Sequence, residues 1–509
     1  MMFEGEPEAW LGIDLGTQSV RALLVTADGT VLGAGTVPLT NHRDGVRHEQ
    51  DPGEWWEAVC SASRAALMGG GPSRVRAIGG LAVCGTSGTV LLTDAEGRAL
   101  TRGLMYDDGR AVEEAARVGM QTSWALPKAL WLLDAYGWKE GRGQVIRVTH
   151  QPDVITGKLM GGTVPTDSSH ALKTGYDAER EVWPPQLAHL GEVLPDVVRP
   201  GTRLGEVCRA AAEATGIPAG TPVVAGMTDG CAAQIASGAL RHGAWNSVLG
   251  TTLVLKGASA RPVRDDAGVV YNHRAPDGSW LPGGASSVGA GALPAGTDPA
   301  ELDRRAAAYE PSGVLTYPLA SSGGERFPFV APEATAFTLG TPASEADGWA
   351  AVLQGVAFTE RLCLDYLHHL GAPIDGPLTF TGGAARSAYW NQLRTDILGR
   401  PARVPEQIEP ALGMAVLAAY GTERGREKER ERETGTGAGA GAVTGSRALS
   451  EVADRMVRIR TLLEPRASRT ARFTEPYARL VDELETRGWL PTPLATHTRT
   501  RLNQDTIDS

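Results

Sequence analysis

The stretch Thr221-Pro-Val-Val-Ala-Gly-Met-Thr-Asp-Gly-Cys-Ala-Ala-Gln-Ile-Ala-Ser-Gly238 lies near the middle of a 509-residue chain. Its β-branched start, Pro222 to Ala225, reads as a short buried strand. Gly226 breaks that strand, and the small residues from Cys231 to Ser237 then read as a helix. Thr228 and Asp229 therefore fall on a strand-to-helix turn, with Asp229 in the first helical turn. A carboxylate there has two readings. It caps the free N–H groups of the helix start, or it does chemistry, because such turns project from the sheet edge where ligands bind.

The flanking sequence bears on that choice. On the N-terminal side, Trp10-Leu-Gly-Ile-Asp-Leu-Gly-Thr-Gln-Ser-Val-Arg-Ala-Leu-Leu-Val25 reads as strand, tight turn, strand, and Val31 to Val37 extends it into an antiparallel meander. The turn Gly16-Thr17-Gln18-Ser19 offers backbone N–H groups and hydroxyls to an anion, and Asp14 stands two residues before it. On the C-terminal side, Trp245-Asn-Ser-Val-Leu-Gly-Thr-Thr-Leu-Val-Leu255 repeats that design. The echo predicts two domains of related plan, each with a phosphate-facing turn, and a cleft between them. Further on, Leu378-Thr-Phe-Thr-Gly-Gly-Ala-Ala-Arg-Ser-Ala-Tyr-Trp390 runs strand, Gly-Gly turn, helix, where paired glycines let a nucleotide approach the backbone. Ala77 to Val83 forms an apolar strand ending in the polar loop Cys84-Gly-Thr-Ser-Gly-Thr89, either a hairpin connection or a hydroxyl-rich floor for a polar ligand. Met105-Tyr-Asp-Asp-Gly-Arg110 sets two carboxylates beside an arginine, which an exposed ion pair would explain equally well.

Bulk composition narrows the class. A chain this long exceeds one core and predicts two large domains. Its 49 basic and 59 acidic residues give a net charge of −10, which argues against nucleic acid and against a polybasic membrane patch. Five scattered cysteines without a CxxC pair fit neither a zinc site nor a disulfide framework, so a reducing cytoplasm is expected. No apolar run approaches the ~20 residues needed to span a bilayer. Residues 422–446 combine a mixed-charge run with alternating glycine and read as a flexible insertion. The last twenty residues, 490–509, read as a disordered tail.

Taken together, Gly85-Thr-Ser-Gly-Thr-Val-Leu-Leu92, His170-Ala-Leu-Lys-Thr-Gly-Tyr176, Leu249-Gly-Thr-Thr-Leu-Val-Leu-Lys256 and Gly323-Gly-Glu-Arg-Phe-Pro328 resemble the FGGY carbohydrate kinases. Within that family the segments are most similar to the cyanobacterial and plant D-ribulose kinases. Xylulokinases place a Met-His pair in the first loop and glycerol kinases an Arg-Glu pair, both absent here. The resemblance implies an α/β chain of two duplicated ribonuclease-H-like domains of the actin/Hsp70/hexokinase type. These are a sugar-binding domain over 8–240 and an ATP-binding domain over 241–484.

Position by position, Asp229 matches the catalytic base. Asp14 matches the acid near the sugar and Mg²⁺, so both carboxylates are candidate substrate and metal contacts. Ser87 matches a sugar-contacting hydroxyl. Gly16, Thr17 and Gln18 match the first phosphate turn, and Gly250, Thr251 and Thr252 the second. Gly382 and Gly383 match the adenosine turn, with Ser387 and Trp390 beside it. Two positions depart from the pattern: relatives carry Asp where this chain has Cys84, and Ala384 replaces a third glycine. The implied activity is ATP-dependent phosphorylation of the terminal hydroxyl of a ketopentose, D-ribulose first. Alternatives are D-xylulose or another polyol, and a non-catalytic nucleotide sensor. The implied partner is a small sugar, with a homodimer left open.

Overall fold

The computed structural model describes residues 8–70, 77–140, 145–294, 299–320, 323–434 and 448–507. The chain divides into two compact units. The first comprises Met1–Gly238, His273–Gly278 and Gln407–Arg458; the second comprises Ala239–Asn272, Ser279–Glu406 and Ile459–Ser509.

In the first unit, β1 (Glu8–Leu15), β2 (Ser19–Thr26) and β3 (Val31–Pro38) form the antiparallel meander read from the sequence. Then β4 (Ala77–Gly85) lies parallel to β1, β5 (Arg203–Glu206) forms an edge, and β6 (Pro222–Val224) lies parallel to β4 and antiparallel to β5. The sheet order is β5-β6-β4-β1-β2-β3. β1 is buried almost throughout, which explains its near-continuous apolar sequence. The helix α1 (Pro52–Gly70) covers β2 and β3 through Trp55, Val59 and Ala62.

The second unit repeats this plan. Here β7 (Trp245–Leu249), β8 (Leu253–Gly257) and β9 (Trp280–Ala285) form an antiparallel meander. Strand β10 (Leu378–Thr381) is parallel to β7, β11 (Ala402–Pro405) is parallel to β10, and β12 (Ile459–Leu463) is antiparallel to β11. Read outward from the meander, both sheets share one sequence of strand directions. The echo between residues 10–25 and 245–255 is therefore the visible part of a whole-sheet repeat.

Two segments depart from the sequence reading. The helix α2 (Pro410–Thr434), expected within the ATP-binding domain, belongs to the first unit, where it packs on β1, β4 and the helix that begins at Asp229. Residues 422–434 of the expected insertion continue this helix, Trp10 Nε1 donates to Thr422 Oγ1 at 3.1 Å, and residues 435–446 lie outside the described set. The expected disordered tail is a helix, α3 (Thr492–Ile507), whose Leu494, Ala495 and Leu502 are buried in the second unit's core. Hidden apolar spacing within a Thr- and Arg-rich stretch masked it. Among the described residues no helix is long and apolar enough to cross a membrane.

The contact of α2 with β1 depends on missing side chains. A Cβ on Gly12 would sit 1.8 Å from the Ala411 carbonyl oxygen, and one on Gly413 would sit 2.0 Å from that of Ala232. Gly12→Ala should therefore lower stability by about 1–3 kcal/mol or more, since backbone must move to admit the methyl. Gly425→Ala, in the same helix with open space around it, should instead stabilise by about 1 kcal/mol. Chemical denaturation of the two variants checks both signs, and equal midpoints would contradict the close approach.

Candidate active site

Asp14 stands at the end of β1, where parallel pairing sets it beside Cys84 on β4 and antiparallel pairing opposite Arg21 on β2. Its side chain is only 4% exposed. The Cys84 thiol donates to Asp14 Oδ1 at 3.4 Å. Burial first, and then the neighbouring Asp229 carboxylate, push the Asp14 carboxyl up to about 7. The Cys84 thiol itself is raised well above its ordinary value by the same burial and by both carboxylates, so it stays a neutral donor. This contact follows directly from the departure at residue 84: an aspartate there would meet Asp14 as a third carboxylate.

Asp229 opens the helix Asp229–Ala236, with Thr228 as its N-cap residue. The capping reading is met only in small part. Thr228 makes no side-chain cap, Asp229 Oδ1 accepts the adjacent Gly230 N–H at 2.7 Å, and the Ser87 N–H lies near enough to lower the carboxyl slightly. Burial raises the Asp229 carboxyl, while the N–H groups and the nearby Lys173 and His170 pull it back. A carboxylate close to a reactive hydroxyl, half-buried and not committed to a cap, is suited to general-base work.

The loop after β4 links these groups. Its Ser87 hydroxyl is buried and makes no hydrogen bond among the described residues, while the Ser87 carbonyl accepts from Lys173 Nζ at 3.1 Å. An orphaned hydroxyl beside Asp229 is what a polyhydroxy ligand would satisfy. Thr86 is fixed by Gln151, whose Oε1 accepts from both its backbone N–H and its hydroxyl, each at 2.8 Å. Gln151 carries no motif, and Lys173, although inside the quoted His170–Tyr176 segment, is given no role by the sequence. In the Met105–Arg110 segment, Arg110 pairs with Asp108 at 2.8 Å and Glu49 at 2.7 Å, with its guanidinium almost buried. That segment is structural apart from Tyr106, a half-exposed phenol raised by burial and by the charges of Asp107 and Asp229.

The two phosphate-turn candidates occupy equivalent places in their sheets. In the first unit, the Thr17 carbonyl accepts from Gln50 Nε2 at 2.7 Å and Asn41 Nδ2 at 3.1 Å, which braces the Gly16–Thr17–Gln18 turn. In the second unit, Gly291 N–H donates to Thr251 O at 3.0 Å and Ala290 N–H to Gly250 O at 3.0 Å. Among the described residues the hydroxyls of Thr17, Thr251 and Thr252 make no hydrogen bond, so each turn is held by its backbone and leaves its polar tips open. Buried Glu325, from the Gly323–Pro328 loop, accepts from Ser287 N–H at 2.7 Å and steadies the segment behind Thr251.

At the adenosine-turn candidate, Gly382 has φ +83°, and a Cβ there would lie 2.5 Å from the Leu249 carbonyl oxygen. Gly383 has open space around it. Ser387 caps the helix Ala388–Leu398 by accepting from Trp390 N–H at 3.0 Å, and its hydroxyl donates to Asp303 Oδ2 at 2.6 Å. Trp390 is the correction here. It is 3% exposed, packed in the core with Nε1 donating to Leu353 O, so it supports the turn from below and presents no face to a nucleotide.

Among the described residues no trio of His, Cys, Asp and Glu is placed to hold a metal ion. Asp14 and Asp229 nonetheless fit Mg²⁺, which keeps several waters and takes one or two carboxylates together with substrate phosphates. The Asp229 charge adds to the demand for a cation beside Asp14. Because the folded protein holds the Asp14 proton up to about 7 while the unfolded chain releases it near 3.8, stability falls as pH rises across that window. Asp14→Asn should remove this loss, so its thermal midpoint relative to the parent should climb between pH 5 and pH 8, on the order of a few kcal/mol at most. Mg²⁺ at pH 8 should raise the parent's midpoint and leave the variant's unchanged. Parallel pH curves for the two proteins would contradict the burial of this carboxyl.

Comparison with known proteins identifies the family. Residues 9–236 match the N-terminal domain of the FGGY family of carbohydrate kinases, and residues 245–422 match the family's C-terminal domain. The chain is 30% identical over 436 residues to a xylulose kinase of Streptomyces rubiginosus, covering 80% of this chain and 87% of that one. It is 28% identical over 449 residues to a xylulose kinase of Escherichia coli K12, covering 80% and 89%. The crystal structure of a xyloylose kinase from Brucella ovis superposes with a TM-score of 0.79 at 25% identity, over 93% of this chain and 98% of that one. A Plasmodium falciparum glycerol kinase with ADP shares the fold, with a TM-score of 0.76 at 18% identity over 95% and 99%. These relatives do not carry the resemblance to D-ribulose kinases beyond the family level. Matched along both of its domains, the chain belongs to the FGGY family of carbohydrate kinases and is an ATP-dependent sugar kinase.

Proposed function

We propose that this kinase transfers the γ-phosphoryl group of ATP to the terminal hydroxyl of a five-carbon ketose, with D-xylulose as the first candidate. The acceptor side of this reading rests on one observation: the loop with the orphaned Ser87 hydroxyl and the turn with Asp229 are bridged backbone to backbone at Gly85 and Thr228. The sugar rests on the 30%-identical xylulose kinase. D-ribulose is the second reading, favoured by the Gly85–Thr89 loop, which has Ser87 and lacks a Met-His pair.

Phosphoryl transfer passes through a loose transition state, so the protein's work is placement and charge stabilisation. Asp229 orients the acceptor hydroxyl and takes its proton as the new P–O bond forms. Ser87 fixes a second hydroxyl of the sugar, and the turns at Gly16–Gln18 and Gly250–Thr252 offer N–H and hydroxyl groups to the phosphates. Gly382 and Gly383 let the adenosine lie against the backbone. Asp14 and Asp229 would hold Mg²⁺, which when bound neutralises phosphate charge that an acidic protein cannot.

The test is ADP release from Mg-ATP with D-xylulose, D-ribulose, L-ribulose, D-gluconate and glycerol, against a control without sugar. The expected result is sugar-dependent turnover highest with D-xylulose. A preference for D-ribulose would transfer the assignment to the second reading. Asp229→Asn should lower kcat by about 10²–10⁴-fold, and near-parental turnover would refute the base. Ser87→Ala should raise the sugar KM and leave that of ATP unchanged.

A further inference from the structure

One buried cluster near the site is not accounted for by the roles above. Asp167 caps the one-turn helix Ser168–Ala171, accepting from the N–H groups of Ser169 at 2.8 Å and His170 at 3.2 Å. The Ser169 hydroxyl donates to Asp167 Oδ1 at 2.5 Å and accepts from the Thr228 N–H at 2.9 Å. Thr228 is the residue immediately before Asp229. On its other side, His170 Nδ1 donates to Asp167 Oδ2 at 2.6 Å, and Nε2 donates to the Gly85 carbonyl at 3.3 Å. Gly85 ends β4 and begins the Ser87 loop. All four side chains, of Asp167, Ser169, His170 and Thr228, are at most 3% exposed.

The chemistry of the ring is fixed by its partners. A carboxylate faces one nitrogen and a carbonyl the other, so both nitrogens carry protons and the ring is an imidazolium. The adjacent carboxylate of Asp167 stabilises that charge, and is itself held by four donors. A charged, doubly donating ring is a stiffer link than a neutral one, because losing either bond leaves a buried ionic group unpaired.

We propose that Asp167, Ser169 and His170 form a single positioning clamp that fixes the Asp229 turn against the sugar-facing floor at Gly85–Ser87. This rests on the reading of Asp229 as the base. Asp167 is the hub; Ser169 reaches the base side and His170 the floor side. None of the three touches the reacting atoms, so all are positioning residues. Lys173, on the same short segment, adds a further tie to the floor through the Ser87 carbonyl. The clamp gives the kinase its spacing between base and acceptor hydroxyl, a distance to which phosphoryl transfer is steeply sensitive.

The arms of the clamp should separate in steady-state kinetics of the full chain. Ser169→Ala frees the base turn and should lower kcat by about 10–100-fold with the KM for ATP unchanged. Ser169→Thr, which keeps the hydroxyl, should restore most of that loss. His170→Gln frees the floor and should act mainly on the sugar KM. Because one hub serves both arms, adding Ser169→Ala to Asp167→Asn should cost little beyond Asp167→Asn alone. A merely structural role would reduce the folded fraction and leave both KM values and the ratio of sugar-dependent to sugar-independent ATP hydrolysis at parental levels, and that result would overturn the clamp. Should Ser169→Ala not fold, the Asp167→Asn and His170→Gln kinetics decide by the same criteria. The base reading fails separately, through an active Asp229→Asn, while an inactive Asp229→Asn with parental kinetics in the clamp variants overturns the clamp alone.

Discussion

Two carboxylates, the buried Asp14 and the half-buried Asp229, set the terms for the first unit. Burial raises both carboxyls, and the Asp229 charge raises that of Asp14 further. Taking such groups out of water is unfavourable unless donors or cations compensate. Much of what surrounds them can be understood as that compensation. The Cys84 thiol and the N–H groups of Gly230 and Ser87 supply dipoles, and Lys173 and His170 supply charge at longer range. The compensation is incomplete, since the Asp14 carboxyl stays raised to about 7.

Holding two carboxylates in such a place requires a scaffold that does not yield. In the first unit this comes from backbone packed directly against backbone. Gly12 and Gly413 let α2 settle on β1 and on the helix that starts at Asp229, and a Cβ on Gly226 would lie 1.8 Å from the Val83 carbonyl oxygen. The ends of β1 and β4, which carry Asp14 and Cys84, are thus fixed by contacts without flexible side chains between them. In the second unit Gly382 plays a comparable part against Leu249 at the end of β7. The two sheets share one strand plan, and the two candidate phosphate turns fall between the first two strands of each. One piece of local geometry, a Gly-Thr hairpin backed by a parallel strand, serves twice.

Much of this was legible in the chain itself, because the deciding signals are local. Period-2 and continuous apolar runs marked the strands, and glycines marked the turns between them. The strand-to-helix turn at Thr228–Asp229 followed from a change in residue type over a few positions. The repeat between residues 10–25 and 245–255 gave the duplicated plan, and the family motifs gave carbohydrate kinase activity. The substrate was not legible at the same level. The loop around Ser87 pointed to ribulose kinases, whereas similarity along the chain points to xylulose kinases, since a few loop residues weigh little against the whole core.

The tertiary structure alone decided what depends on residues far apart in sequence. Assignment of α2 to the first unit turns on glycine contacts some 400 positions apart, Gly12 with Ala411, which no local pattern encodes. The last helix was hidden because its Thr- and Arg-rich composition resembles a tail, and only the core receiving Leu494 and Leu502 distinguishes them. Trp390 is placed beside the adenosine turn by the family resemblance, and only its burial shows that it lies beneath that turn. The links from Ser169 to Thr228 and from His170 to Gly85 join segments 59 and 85 residues apart. Sequence determined which residue types stand on which turns, since backbone preference acts over a few residues. Folding decided which of those turns share one carboxylate, one thiol or one buried charge, since hydrogen bonding and desolvation act through space.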